Sequence, residues 1–353
     1  MNKAFKINHA TWSVRRKEKT RLLVLDRLSG KMKHKVVRDL PELFGRGDLF
    51  VVNDAATIPA SLKGRFAQAE IEIRLAQRLD QVPGEFSHWR AVVFGEGDWR
   101  LPTEKREELP LLKEGDLLEF GSDIKAPVLA AQVLKIETEV SNRLLQIEFK
   151  EKGPLLWSHF YSLARPIQYS YLESNLAIWD QQTIFAGPPM ALEPPSASFP
   201  FTWEILARLE ARGVEVLRIS HATGISNTGV KKIDQLLPFP EESRIPFSVQ
   251  ERLKNAKNQG RRIVALGTGV VRALEAWGEA KTSKETILAD NKISAESRPK
   301  IVTGLITGFH EPQASHLDLL GAFFNKHALL KAYGEAAEFG YLWHEYGDVC
   351  LII

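Results

Sequence analysis

Val264-Ala265-Leu266-Gly267-Thr268-Gly269-Val270-Val271-Arg272 passes from an apolar run through a glycine turn into the start of an amphipathic segment. A strand, tight turn and helix start of this kind expose backbone N–H groups to an anion or carboxylate, and Thr268 and Arg272 would add donors. Glycine in such a turn also serves backbone geometry alone, so a ligand role and a structural role are both open at Gly267. Thr307-Gly308-Phe309-His310-Glu311-Pro312 follows another apolar run, and its histidine and carboxylate could form a proton-transfer pair near neutral pH. His310 with His316 and Asp318 fits no zinc signature, so no metal is expected. His221 ends a third apolar run, where a site role stands beside plain hydrogen-bonded structure. Tyr341, Trp343 and Tyr346 would suit stacking on a base or covering a sulfonium, but an alternating Tyr/Trp strand reads first as core.

Those residues need a scaffold that gathers strand ends. The chain opens with Leu22-Leu23-Val24-Leu25, a turn at Ser29-Gly30, a polar strand from His34 to Val37 and a short helix from Leu40 to Phe44. A buried strand follows within Gly47 to Asp54. Between Leu62 and Lys150 the pattern changes to short alternating runs separated by Gly, Pro and Asp turns, which predicts a compact antiparallel barrel. After Gly153 the helical period returns. Trp203 to Arg212 leads into a strand from Val214 to Ser220, then a polar helix (Ser248 to Asn258), a strand (Ile263 to Leu266), a helix (Val270 to Glu279), a strand (Ile301 to Ile306) and a helical pair covering Leu317 to Glu338. This order predicts an α/β fold with a mixed, partly parallel sheet, formed by residues 1–61 and 151–353, with the barrel inserted as residues 62–150.

At 353 residues, 44% hydrophobic and 26% charged, the chain is too apolar for disorder and has the size for a large core or two. Its apolar runs fall far short of the roughly 20 residues that cross a bilayer, and no apolar stretch follows the first lysines. No membrane association is expected. The single cysteine, Cys350, excludes an internal disulfide, and the cytoplasm is the expected compartment. The net charge of +3 is uneven: residues 1–50 hold thirteen Lys or Arg against five Asp or Glu, and the remaining 303 are net negative by five. Arg15, Arg16, Lys17 and Arg21, with Lys31, Lys33 and Lys35, could meet an RNA backbone; alternating lysines on a solvated strand are the plainer reading.

In order along the chain stand Arg21-Leu22-Leu23-Val24-Leu25-Asp26-Arg27, Gly47 to Asp54, Ile58-Pro59-Ala60, Gly267-Thr268 with Arg272 and Glu275, Phe309-His310 with Pro312, and Tyr346-Gly347-Asp348. Together they resemble the S-adenosylmethionine:tRNA ribosyltransferase-isomerase family of the queuosine pathway, over about residues 20 to 352. The resemblance implies one α/β domain with an inserted β-barrel. It also implies transfer of the ribosyl part of S-adenosylmethionine to the aminomethyl-deazaguanine base at the tRNA wobble position, giving an epoxycyclopentanediol and releasing adenine and methionine. S-adenosylmethionine as co-substrate and tRNA are the partners so implied, and a monomer is expected. By position, His310, Glu275 and Asp54 become catalytic candidates, with His310 or Glu275 for proton transfer. Gly267, Thr268, Arg272, Thr307, Phe309 and His221 become substrate-binding candidates, Arg272 for a carboxylate or phosphate.

The sequence also departs from the family pattern. Asn-Asp-Thr-Arg-Val-Ile-Pro-Ala-Arg is Asn53-Asp54-Ala55-Ala56-Thr57-Ile58-Pro59-Ala60-Ser61 here, without either arginine. Pro-Thr-Ala-Gly-Leu-His-Phe is Pro195-Ser196-Ala197-Ser198-Phe199-Pro200-Phe201, His-Ser-Glu is Phe239-Pro240-Glu241, Gly-Thr-Thr-Ser is Gly267-Thr268-Gly269-Val270, and Asn-Phe-His-Leu-Pro-Lys-Ser is Gly308-Phe309-His310-Glu311-Pro312-Gln313-Ala314. A lost donor to a bound ligand costs about 1–3 kcal/mol, so several losses together can redirect substrate preference. Two other readings therefore stand beside the first: a paralogue acting on a different nucleoside-type ligand, and a non-catalytic RNA-binding protein.

Overall fold

Leu49–Asn53 is buried at every position, with Leu49 and Val51 in one core and Phe50 and Val52 in another. A strand that reads as continuously apolar, with alternate residues in two cores, belongs in the middle of a sheet covered on both faces. The computed structural model describes residues 7–11, 17–80, 84–121, 128–310 and 316–353, so Arg15, Arg16 and Glu311 lie outside the described residues. Nine strands form the main sheet, in the order Thr286–Ala289, Glu241–Arg244, Glu215–His221, Leu49–Asn53, Ile263–Leu266, Gly304–Gly308, Val349–Ile352, Arg21–Leu25 and Met32–Val36. The four strands from Glu215–His221 to Gly304–Gly308 are mutually parallel, and antiparallel neighbours flank them on both sides. Helices Phe247–Asn258, Thr268–Ala280 and Lys326–Glu338 cover one face, and Trp203–Ala211 with the 3-10 helix Val37–Leu43 covers the other.

A closed barrel stands beside this sheet, with every pairing antiparallel: Leu129–Ile136, Leu144–Phe149, His88–Phe94, Ala69–Arg78, Ser61–Phe66 and Leu117–Phe120. Closure leaves no exposed strand edge. Its core is separate from those of the sheet and includes Ile73, Leu75, Val93, Phe120 and Phe149. Buried Glu72 joins Arg74 Nε at 2.8 Å, Arg106 Nη1 at 2.6 Å and Ser61 Oγ at 2.9 Å. Burial alone would raise this carboxyl, but the two guanidinium groups hold it below the usual carboxylate range.

Local chemistry explains where elements begin and stop. Thr202 caps Trp203–Ala211 by accepting the Ile205 N–H. The segment expected as a helix from Leu40 to Phe44 is a 3-10 helix that starts earlier and contains Pro41. The strand expected from Ile301 begins only at Gly304, because the N–H groups of Ile301 and Val302 are taken by Glu275 and not by a neighbouring strand. The lysine-rich Met32–Val36 strand is the sheet edge, with Lys33 exposed, a charge placement that discourages edge-to-edge pairing. Tyr341, Trp343 and Tyr346 are core, each at most 5% exposed. Among the described residues no helix is long and apolar enough to cross a membrane.

Barrel closure depends on Gly64, where a Cβ would fall 2.4 Å from the Glu119 carbonyl oxygen and 2.5 Å from the Phe120 ring. Gly64→Ala is expected to destabilise the fold by about 1–3 kcal/mol in denaturant titration. An unchanged midpoint would contradict this close approach.

Candidate active site

The parallel strands set the site, because all four carboxyl ends reach the same edge. Ile219 pairs with Asn53, and Leu266 pairs with both Val52 and Ile306, so His221, Asn53-Asp54, the Gly267 turn and Thr307 to His310 come together. Asn53 clamps two of these ends: its Oδ1 accepts the N–H groups of Ala55 and His221 at 3.0 and 2.9 Å, and its Nδ2 donates to the His221 carbonyl at 2.9 Å. Asp54 Oδ1 accepts the Ser220 hydroxyl at 2.6 Å. Gly267, at φ +100°, turns the chain into the helix Thr268–Ala280. Two residues on, a Cβ on Gly269 would fall 2.8 Å from Cδ2 of His221, so the imidazole occupies the space a side chain would need.

Glu241 is the electrostatic centre. It is 6% exposed and takes the Arg272 guanidinium at 2.5 Å, His221 Nε2 at 2.8 Å and the Gly224 N–H at 2.7 Å. Burial would push its carboxyl up; His221 and Arg272 outweigh that and hold it below the usual range. His221 Nδ1 lies 2.7 Å from the Ser243 hydroxyl. Glu-Glu-Ser-Arg carries no apolar strand signal, and Glu241–Arg244 is a strand through its pairing with both neighbours. The retained acid in Phe239-Pro240-Glu241 was the available clue.

Three histidines lie along the opposite wall. His310 Nε2 is 3.2 Å from Thr307 Oγ1, and its ring stacks on His316 at 4.1 Å with 4° between planes. Both residues keep a partly exposed edge, yet the packing around the rings removes water from the cationic form. Burial first, then His316 and His344, takes His310 well below the ordinary histidine value. Burial and the Arg272 charge take His316 to about 4. His344, lowered to about 4 by burial and then His9, stacks on both His9 and Tyr171, at 4.6 and 4.4 Å. At physiological pH these rings are neutral, each with one donor and one acceptor nitrogen.

The other expected residues have protein partners. Arg272 is 8% exposed and committed to Glu241, with Nε lacking a partner among the described residues. Glu275 accepts the N–H groups of Lys300, Ile301 and Val302 at 2.7, 2.9 and 2.8 Å, which makes it a clamp between helix and chain. Phe309 is core, tilted against Tyr333 and Trp343. Asp348 of the Tyr-Gly-Asp motif accepts the Arg21 and Leu342 N–H groups. Arg21 donates to the Phe339 carbonyl and lies over the Tyr341 ring, and Lys17 is half-buried, with burial lowering its ammonium. Phe199 stacks on Tyr346 at 4.9 Å, and Phe239 lies under Arg90. Ala197 comes 3.8 Å from the Cβ position of Gly267, beside the fully buried Ser198. A groove of about 470 Å³ between Lys254, Trp277 and Lys281 opens at the far ends of the helices, away from this edge. Among the described residues no group of three or more His, Cys, Asp or Glu is placed to hold a metal.

The sequence pattern of the family described as queuosine biosynthesis protein matches residues 6–352. The chain belongs to that family. Among queuosine biosynthesis relatives, the S-adenosylmethionine:tRNA ribosyltransferase-isomerase of Desulfitobacterium hafniense is 30% identical over 345 residues, covering 96% of this chain and 94% of its own. The protein of the same name from Trichormus variabilis is 32% identical over 360 residues, covering 96% and 86%. The crystal structure of an S-adenosylmethionine tRNA ribosyltransferase from Thermotoga maritima superposes with a TM-score of 0.51 at 26% identity, covering 98% of this chain and 96% of that one. An α/β domain carrying a closed barrel is therefore the architecture that resemblance to this family implied.

Two outcomes follow from the geometry. Gly269→Ala is expected to displace His221 and lower stability by about 1–3 kcal/mol; unchanged stability would remove the packing argument. His316 titrates at about 4 when folded against 6.5 ordinarily, so as pH falls the unfolded chain takes the proton first. Stability from this group is complete above 6.5 and lost between 6.5 and 4. His316→Gln is expected to flatten the fall of Tm across that window, and identical slopes would contradict the assignment.

Proposed function

We propose that the protein transfers and isomerises the ribosyl group of S-adenosylmethionine onto a 7-aminomethyl-7-deazaguanine base in tRNA, acting in the cytoplasm. Family membership supports the reaction class, and one local observation carries the residue assignment: His310 is held neutral at a strand end, oriented by Thr307 and stacked on His316. The reaction needs a base to take a proton beside the sulfonium, donors to receive charge on the departing adenine, and a slot for an extruded base. His310 is the proposed proton acceptor. Ser198 Oγ, fully buried and without a partner among the described residues, and Arg272 Nε are donors still available to a ligand.

Arg272 acts by holding Glu241 and, through it, His221 against the glycine turn, and Glu275 acts by fixing residues 300–302. RNA contact falls to the basic N-terminal stretch, Lys17 included, whose affinity for tRNA would decline steeply with salt.

The test is adenine release from S-adenosylmethionine in the presence of tRNA bearing the aminomethyl-deazaguanine base. Release is expected with the wild-type chain, and His310→Ala is expected to slow it by about 10²-fold or more. Binding of S-adenosylmethionine or another nucleoside without tRNA-dependent turnover would favour the paralogue instead. Salt-sensitive tRNA binding without nucleoside binding would favour a non-catalytic protein.

A further inference from the structure

His310 is tied at one point, where Nε2 meets Thr307 Oγ1 at 3.2 Å, and Nδ1 has no hydrogen-bond partner among the described residues. One such bond leaves the plane of the ring loosely set, because χ2 of histidine is a broad torsion. The second constraint is a face. The His316 ring lies parallel to it, with centroids 4.1 Å apart and 4° between planes. His316 opens the helix His316–Gly321, which is anchored by buried Leu317, Leu319 and Leu320 and by Gly321, where a Cβ would fall 2.7 Å from that of Ala295. Asp318 of the same helix pairs with Lys326 at 2.8 Å, at the surface. A ring stacked in parallel holds its neighbour's plane, and a neutral π face also attracts a cation lying over it. In the resting site both rings are neutral, His310 through burial and then His316 and His344, His316 through burial and then Arg272. Arg272 and Glu241, the charges that act on His316, are paired with each other. Among the described residues no carboxylate pairs with His310, so a proton arriving on it is met by the His316 face.

We propose that His316 is a positioning residue for the reaction: its neutral ring fixes the plane of His310, leaves Nδ1 to accept the substrate proton, and attracts the imidazolium that forms. The inference rests on the function proposed above, in which His310 is the proton acceptor. In that step the C–H bond beside the sulfonium breaks, its electron pair stays on carbon, and its proton moves to Nδ1 while the Nε2 hydrogen remains on Thr307 Oγ1. His310 gains one positive charge and His316 gains none. The attraction between the rings grows only as that charge develops, so His316 acts on turnover and leaves the binding of S-adenosylmethionine unchanged. A flat, uncharged face is what the role requires, and the nitrogens of His316 are not.

Steady-state adenine release over a range of S-adenosylmethionine concentrations, with saturating tRNA bearing the aminomethyl-deazaguanine base, separates kcat from KM. His316→Phe keeps a flat π face without nitrogens, and its kcat is expected to stay within about threefold of wild type. His316→Leu keeps apolar bulk without a face, and is expected to lose kcat by about tenfold or more while KM stays within about twofold. Wild-type turnover by His316→Leu, or a His316→Phe chain as slow as His316→Leu, would overturn the inference. NMR of histidine-labelled protein reads the stack without turnover. The His310 ring-proton signals, assigned by their loss in His310→Gln, are expected upfield in wild type and in His316→Phe and shifted downfield in His316→Leu; identical positions in all three would overturn the inference. Adenine release by the wild-type chain separates the two claims. Its absence defeats the proposed function and the positioning role together, whereas wild-type turnover matched by His316→Leu defeats the positioning role alone.

Discussion

A carboxylate sealed between a guanidinium and an imidazole governs how the strand ends can be arranged. Glu241 lies on the strand between Glu215–His221 and the edge strand Thr286–Ala289, Arg272 on the helix Thr268–Ala280, His221 on a parallel strand and Gly224 in the loop beyond it, and one side chain binds all three partners. Charges this deeply buried cannot be left single: breaking such a pair by removing one partner costs about 3–5 kcal/mol, since the remaining charge has no water to turn to. The cluster therefore sets the position of the helix start, the imidazole against Gly269 and the charge that His316 experiences.

The barrel is fixed to this cluster. Gln77 donates to the Pro240 carbonyl at 3.0 Å, Arg78 pairs with Glu242, and the Ala76 carbonyl lies 3.3 Å from where a Gly224 Cβ would stand. One barrel strand thus abuts both the segment that carries Glu241 and the loop that donates to it. Arg74, held by Glu72, lies over the Tyr169 ring, which in turn bonds Glu193. A chain of packed and charged groups therefore runs from the barrel to the Tyr169–Glu193 pair.

Where burial alone decided structure, the sequence was readable. Leu22 to Leu25, Leu49 to Val52 and Ile263 to Leu266 are doubly buried and apolar throughout, and the barrel strand Leu117–Phe120 alternates between buried and half-buried residues. The strands Glu241–Arg244, Thr286–Ala289 and the two-residue pair of Asn8–His9 with Leu342–Trp343 have no signature in the sequence, because tertiary pairing and not composition forms them. Site residues followed the same division. Gly267, Thr307 and His310 announce themselves by standing after apolar runs. Arg272 and Glu275 stand out in the sequence, but their partners Glu241 and residues 300–302 do not, since each is distant in the chain.

Locating S-adenosylmethionine on the protein tests the central claim most directly, that the shared carboxyl edge of the four parallel strands is the reacting centre. In a crystal soaked with it, the account predicts adenosyl density against the Gly267 to Gly269 turn, with the sulfonium side facing His310. Density confined to the groove between Lys254 and Trp277, or none under saturating ligand, would contradict it.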